Sequence, residues 1–337
     1  MSFKIKVLPS GHEFSAEGDE TILDAALRSG LAFPYGCRGG ACGACLGKIV
    51  SGEISYGDDE PMALSEEQAD EGMSLFCVAR PTSDVTVEIH EVGAVEEIPV
   101  KNLPAKVARL DRLKDDVMAL FLKLPENERM QYLGGQYVDF IMKDGRKRAF
   151  SIANAPHHDE FLEFHIRRIA GGEFTDHVFN EMQEGEIVRI EGPKGTFFLR
   201  EDSERPIIML ATGTGYGPIK GIIEHMVAEQ SSRAVYLYWG ARHREDLYAD
   251  SEIRAWEKKF PNIRYRPVLS QPEEGWDGRT GYVQDAVAAD FEDLSGFEVY
   301  ACGHPAMVYS AKDALVSKGV DPEHCYSDAF EWAKDSK

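Results

Sequence analysis

The chain has 337 residues, 43% apolar and 28% charged, which suits two or three soluble domains of ordinary size. It contains no run of about 18 apolar residues and no signal-peptide stretch at its N-terminus, so a membrane span is not expected and the expected compartment is the cytoplasm. Its net charge of −21 argues against nucleic acid as a partner, because phosphate binding needs clustered lysine and arginine.

The first section covers residues 1–93. It opens with a strand at 3–8 and a helix at 21–29, for which Gly30 is a plausible stop signal. A glycine-rich loop follows, and the alternating Val85-Thr86-Val87-Glu88-Ile89 closes the section as a strand. These 93 residues hold six Lys/Arg against sixteen Asp/Glu, a net of −10. That excess serves solubility, or it forms an acidic face that steers a protein partner. Residues 94–104, with two prolines and several charges, read as a linker.

In the second section, 105–200, short alternating segments at 136–142, 149–153, 161–166 and 187–190 are separated by turn residues. This spacing predicts a small antiparallel barrel. The third section, 201–337, changes rhythm. Strands at 207–211, 234–239, 265–269 and 297–301 alternate with helices at 218–229, 252–260, 283–290 and 305–318, which predicts an open, mostly parallel α/β sheet.

The cysteines carry the strongest signal. Cys37, Cys42, Cys45 and Cys77 follow the C-x4-C-x2-C…C spacing of plant-type 2Fe–2S ferredoxins. Two bridged irons need four thiolates, and three can come from one tight loop. The Gly/Ala-rich loop from Tyr35 to Cys45 lets backbone wrap closely round such a cluster. A structural zinc site would want a second cysteine pair near Cys77, and a redox dithiol would leave two of the four unused. Cys302 and Cys325 lie elsewhere, and either can be an ordinary buried cysteine.

In the barrel section, Arg148-Ala149-Phe150-Ser151 matches the R-x-Y-S pattern of the ferredoxin–NADP reductase superfamily. An arginine can neutralise a flavin pyrophosphate, an aromatic ring can cover one isoalloxazine face, and a serine can hydrogen-bond the ring edge. Phe150 stands where that family usually has tyrosine, so stacking survives and one phenolic hydrogen bond is lost. His165-Ile166-Arg167 resembles the family's second flavin segment. Gly171-Gly172-Glu173-Phe174-Thr175 resembles the turn that meets the pyrophosphate at a helix N-terminus, and Gly192-Pro193-Lys194-Gly195 the turn that ends the barrel.

After the first strand of the third section, Thr212-Gly213-Thr214-Gly215-Tyr216-Gly217-Pro218 resembles the superfamily's G-G-T-G-x-x-P segment, with Thr212 replacing the first glycine. Glycines permit close approach to a ligand, and Pro218 suits a first helical turn. Gly240 and Arg242, ending the second strand, match the family's adenosine-side segment. Cys302-Gly303 and Met307 match its C-G-x-x-x-M, whose thiol lies near the nicotinamide; a nucleophilic Cys302 is the competing idea, but no partner base is recognisable. Ser327-Asp328-Ala329-Phe330 resembles the end segment whose aromatic covers the other flavin face. Phe330 is then a gate, or else a helix-end core aromatic.

End to end, the chain resembles the CDP-6-deoxy-glucoseen reductases of bacterial dideoxyhexose synthesis, and also the reductase components of aromatic-ring dioxygenases and of phenol and methane monooxygenases. The resemblance implies a β-grasp ferredoxin domain, an antiparallel β-barrel FAD domain and a parallel-sheet α/β nucleotide-binding domain. It also implies a path from NADH through FAD and the 2Fe–2S cluster to an oxygenase component or a CDP-sugar dehydrase. Ser151, Cys302 and Phe330 would stand at the reacting ring. NADH is expected over NADPH, although Arg242, His243 and Arg244 could receive a 2′-phosphate. The alternatives are a self-sufficient reductase of flavin, quinone or another small acceptor, and an iron–sulfur sensor with a relict nucleotide domain.

Overall fold

The computed structural model describes residues 2–29, 31, 33–35, 38–41, 43–91, 98–125, 128, 130–158 and 160–330. The chain divides into two units, Met1–Ile98 and Pro99–Lys337.

In the first unit, alternation along β1 (Ser2–Leu8) buries Ile5 and Val7 and exposes Lys4 and Lys6. β2 (Glu13–Glu17) returns antiparallel beside it. Thr21 Oγ1 accepts the Asp24 N–H (3.1 Å) and so caps α1 (Ile22–Arg28), which buries Ile22, Leu23, Ala25 and Ala26. The helix ends at Ser29; Gly30, read as its stop signal, lies outside the described residues. There follow β3 (Leu46–Ser51), β4 (Ile54–Ser55), α2 (Glu66–Asp70), β5 (Met73–Leu75), β6 (Arg80–Pro81) and β7 (Val85–Glu88). The main sheet runs β2-β1-β7-β3-β5, with only β1 and β7 parallel, and β4 pairs β6 separately. Phe33 packs between Phe14 and Phe76 (6.0 Å to each) and anchors the start of the cysteine loop in this core.

The second unit opens with β8 (Lys101–Lys114) and β9 (Val117–Lys123), then β10 (Tyr137–Ile141), β11 (Lys147–Ser151), β12 (Leu162–Arg167), α3 (Glu173–Asn180) and β13 (Ile187–Lys194). The strands order as β11-β10-β13-β8-β9-β12, antiparallel throughout. Past β11 the Ala153 N–H donates to Glu163 O (2.7 Å), which draws the two edges together as the expected barrel. Two sequence readings change here. Residues 101–104, read as linker, begin β8. Pro104 is tolerated because only β13 flanks it; pairing with β9 starts at Lys106. Gly192, Pro193 and Lys194, read as a turn, end β13. There the absent Gly192 Cβ would come within 2.6 Å of Val138 Cγ1, so a glycine is what lets β10 pass this close.

The rest of the unit alternates β14 (Ile207–Thr212), α4 (Tyr216–Ala228), β15 (Val235–Ala241), α5 (Asp250–Lys259), β16 (Ile263–Leu269), β17 (Arg279–Thr280), α6 (Val283–Asp290), β18 (Glu298–Gly303), α7 (Pro305–Val316) and β19 (Cys325–Ala329). All six strands are parallel, in the order β17-β16-β15-β14-β18-β19. Ile207 to Ala211 are fully buried, as a strand covered on both faces requires. Strand order reverses between β14 and β18. The crevice at the carboxyl ends of that pair is where an open α/β sheet takes a ligand. Among the described residues no helix is long and apolar enough to cross a membrane.

Candidate functional site

The first site lies in the first unit. Leu46 of β3 pairs with Leu75 of β5, and the Phe76 N–H donates to Cys45 O (3.1 Å). Cys45, just before β3, and Cys77, just after β5, therefore emerge at the same sheet edge, 2% and 6% exposed. Gly47 admits the Phe76 ring, which its Cβ would meet at 2.5 Å. Along the loop, Gly40 has φ +78°, and a Cβ there would meet Glu60 O at 2.7 Å. The Ala63 N–H donates to Gly40 O (2.9 Å), which latches the loop down. Two buried thiols, one ending the glycine-pinned loop and one just after β5, fit a thiolate-held cluster. Cys37 and Cys42 lie outside the described residues.

The second site spans the barrel and the parallel sheet. At the strand-order reversal the two turns interlock. A Cβ on Gly215 would meet Cys302 O at 2.2 Å, and one on Gly303, at φ +130°, would meet Thr212 Oγ1 at 2.5 Å. Thr212 Oγ1 accepts the His304 N–H (3.0 Å). Gly213 to Gly215 form one tight turn and α4 begins at Tyr216, two residues earlier than read from the sequence, with Pro218 still in the first helical turn. Trp239 stacks on Tyr216 (4.6 Å), and its Nε1–H donates to Gly213 O (3.1 Å). Gly240 is the point where β15 crosses Thr212 Cγ2 and Val283.

The barrel brings its own residues to this turn. Arg167, at the end of β12, places Nη1 3.3 Å from the position of a Gly213 Cβ. It pairs with Asp116 at 3.4 Å, yet its Nε and Nη2 are buried without a hydrogen-bond partner. A guanidinium left short of acceptors beside a glycine turn fits a phosphate group. Gly172, the N-cap of α3, supplies no side-chain cap, so backbone N–H groups at this helix start face outward to an anion, although Glu173 and Asp176 also stand in the first turn. Thr175 is turned inward, its hydroxyl within 3.2 Å of Ile169 O and Gly172 O, and Ile166 is fully buried in the barrel core. Arg148 is half-buried and bonds Lys147 O (3.0 Å). Phe150 packs against Phe140 and Phe174 (5.5 and 5.1 Å).

Ser151 Oγ donates to Asp328 Oδ2 (3.3 Å), and Asp328 sits opposite Cys302 in the β18–β19 register. Burial, with Asp328 nearby, pushes the Cys302 thiol well above its ordinary value. A shift in that direction favours the neutral thiol, which weighs against the nucleophile reading. Phe330 follows a strand, not a helix, and its N–H donates to Gly303 O (2.8 Å). Met307 is buried on α7, and Arg242 is exposed just beyond β15.

Sequence reasoning missed the charged seam beneath this site. Glu163 Oε1 lies 2.8 Å from His165 Nε2, and Lys220 Nζ donates to Glu163 Oε2 (2.9 Å) and pairs with Glu224 Oε1 (2.8 Å). His165 Nδ1 lies 3.0 Å from the Tyr248 hydroxyl. The signal was Lys220 itself, a lone charge in the buried stretch Pro218-Ile219-Lys220-Gly221-Ile222. Burial alone would raise the Glu163 pKa, but His165 and Lys220 outweigh it and hold the carboxyl at about 2. Ionised Glu163 therefore stabilises the fold fully above the ordinary carboxyl value of 4.5, by about 3 kcal/mol, and that contribution is lost as pH falls toward 2. All four tryptophans lie in the second unit. Urea unfolding followed by their fluorescence should lose stability steeply below pH 4.5 in the native protein and only weakly in Glu163→Gln; equal slopes would remove Glu163 from the linkage.

Three domain families match: the 2Fe-2S iron-sulfur cluster binding domain over residues 5–82, the oxidoreductase FAD-binding domain over 104–199 and the oxidoreductase NAD-binding domain over 209–313. The chain is 39% identical to the CDP-6-deoxy-L-threo-D-glycero-4-hexulose-3-dehydrase reductase of Yersinia pestis, covering 98% of this chain and 99% of that protein. It is 34% identical to the phenol hydroxylase P5 protein of Acinetobacter pittii, covering 99% and 96%. A solved cytochrome P450 reductase from Amycolatopsis superposes with a TM-score of 0.79 at 32% identity, covering 97% and 98%. The chain belongs to the iron–sulfur flavoprotein reductases, in which a 2Fe–2S domain precedes FAD-binding and NAD-binding oxidoreductase domains.

Proposed function

We propose that this reductase takes electrons from NADH and delivers them singly to a cytoplasmic CDP-sugar dehydrase. The reading is carried by the end-to-end match, at 39% identity, to a relative named as the reductase of such a dehydrase. The sixteen acidic residues among the first 93 suit a docking face for a protein acceptor.

A flavin bound here would supply the coupling between a two-electron hydride donor and one-electron acceptors. The chain's own residues hold and shield these groups. Arg148, Arg167 and the α3 N-terminus neutralise phosphate, while Phe150 and Phe330 supply aromatic cover. Ser151 and Asp328 hold a polar edge beside Cys302. Burial favours the neutral form of that thiol, which would keep charge away from a nicotinamide bound there. Cys37, Cys42, Cys45 and Cys77 would hold the 2Fe–2S cluster through their thiolates. Beyond β15, the Glu273 carboxylate lies 3.3 Å from His243 Nδ1 and accepts the Arg244 N–H (3.3 Å). A carboxylate in that position disfavours a 2′-phosphate, which supports NADH over NADPH.

Reconstitution with a CDP-sugar dehydrase and, separately, with a phenol hydroxylase oxygenase tests the reading. Turnover is expected with the dehydrase and NADH. Faster turnover with the oxygenase, with NADPH, or with free flavin and no protein acceptor would overturn it.

A further inference from the structure

Away from the electron path, three metal-ligating side chains meet where the barrel touches α4. His157 stands on the turn Pro156–His158. His225 and Glu229 lie four residues apart at the C-terminal end of α4. His157 Nε2 is 3.0 Å from His225 Nδ1 and 3.3 Å from Glu229 Oε1, and the ligand atoms of all three lie within 4.8 Å of one another. The two imidazole rings stack, 5.1 Å between centres and 19° between planes. We propose that this trio binds one zinc-class divalent cation and so ties the barrel to the parallel sheet.

The geometry is close to what such an ion asks for. With Zn–N bonds of about 2.0–2.1 Å, two ligands of a tetrahedral centre lie about 3.3 Å apart. The 3.0 and 3.3 Å separations from His157 Nε2 need only a few tenths of an ångström of adjustment, and the His225 and Glu229 ligand atoms, within 4.8 Å of each other, close on the ion by side-chain rotation. Two nitrogens facing each other at 3.0 Å must otherwise share a proton, and a cation can take its place. His225 turns its other nitrogen, Nε2, to Glu201 Oε1 (2.6 Å). A carboxylate there holds the proton on Nε2 and leaves the Nδ1 lone pair aimed inward, the usual support of a metal-bound histidine.

The turn is also preformed. The Ala155 N–H donates to Glu224 Oε2 (3.0 Å), the Tyr132 hydroxyl to Ala155 O (3.0 Å) and Asn154 Nδ2 to His158 O (2.8 Å). Little conformational freedom is left to lose on binding. Two imidazoles and one carboxylate suit zinc better than magnesium or calcium, which take oxygen ligands. Glu201 and Glu229 add the negative charge that attracts a dication.

The test is calorimetric titration of the holoenzyme with zinc chloride, with bound zinc counted by elemental mass spectrometry after gel filtration. One equivalent is expected in the native protein, with a Kd of about 10 µM or tighter and a rise in melting temperature on zinc addition. His157→Ala and Glu229→Ala remove exposed side chains; each should weaken binding by about tenfold or more and remove the rise. Unchanged affinity and stoichiometry in both variants, as adventitious binding to thiols or other histidines would give, overturns the proposal. So does a native protein that takes up no zinc at about 100 µM free ion.

Discussion

Replacing Cys45 by serine is expected to cut reduction of a protein acceptor by about 100-fold or more while leaving NADH–ferricyanide activity within about twofold. A serine hydroxyl does not ionise to serve as a soft ligand, and Cys45 is 2% exposed at its sheet edge. Ferricyanide can take electrons upstream of the iron, so the two assays separate hydride acceptance from delivery. Iron and sulfide content should fall with the acceptor activity, and the yellow chromophore should remain. Proportionate loss in both assays would mean that the cluster is not the exit.

The second large effect is expected at Gly303. Alanine there takes φ +130°, where side chains rarely sit, and its Cβ would lie 2.5 Å from Thr212 Oγ1 and 2.6 Å from Thr212 O. Strain and overpacking each cost about 1–3 kcal/mol. Relief by moving the Thr212 turn is blocked from the other side, where Gly215 packs on Cys302 O. Gly303→Ala should therefore raise the KM for NADH by about tenfold or more and lower the melting temperature of the second unit by several degrees. Iron content should not change, because Gly303 and the cluster cysteines belong to different units. A native KM and melting point would show that the two turns do not interlock as described.

Local features were legible because their physics is local. The helix read at 21–29 starts where Thr21 caps it through Asp24, three residues on, Pro218 sits in a first turn where its missing N–H costs nothing, and Ile207 to Ala211 read as a covered strand. The cysteine spacing was legible for the same reason, since three of its members share one loop. The rest depends on partners far along the chain. β4 and β6 are two residues each and exist only as a pair, and Lys101 to Pro104 become strand because β13 lies alongside. Asp328 meets Ser151 across 177 positions, a relation no window of sequence contains. Ile166 and Thr175 were named for the segments that carry them, while their side chains turn to the barrel core and the backbone.

Lys220 has a further consequence for how this protein comes apart. Its ammonium belongs to α4, and one of its two carboxylate partners, Glu163, belongs to the barrel. Pulling barrel and sheet apart without melting either would strand that cation and its counterion half-compensated, at several kcal/mol per ion. An intermediate with one half folded is thereby disfavoured, and residues 99–337 should denature as a single cooperative block, with calorimetric and van't Hoff enthalpies in agreement.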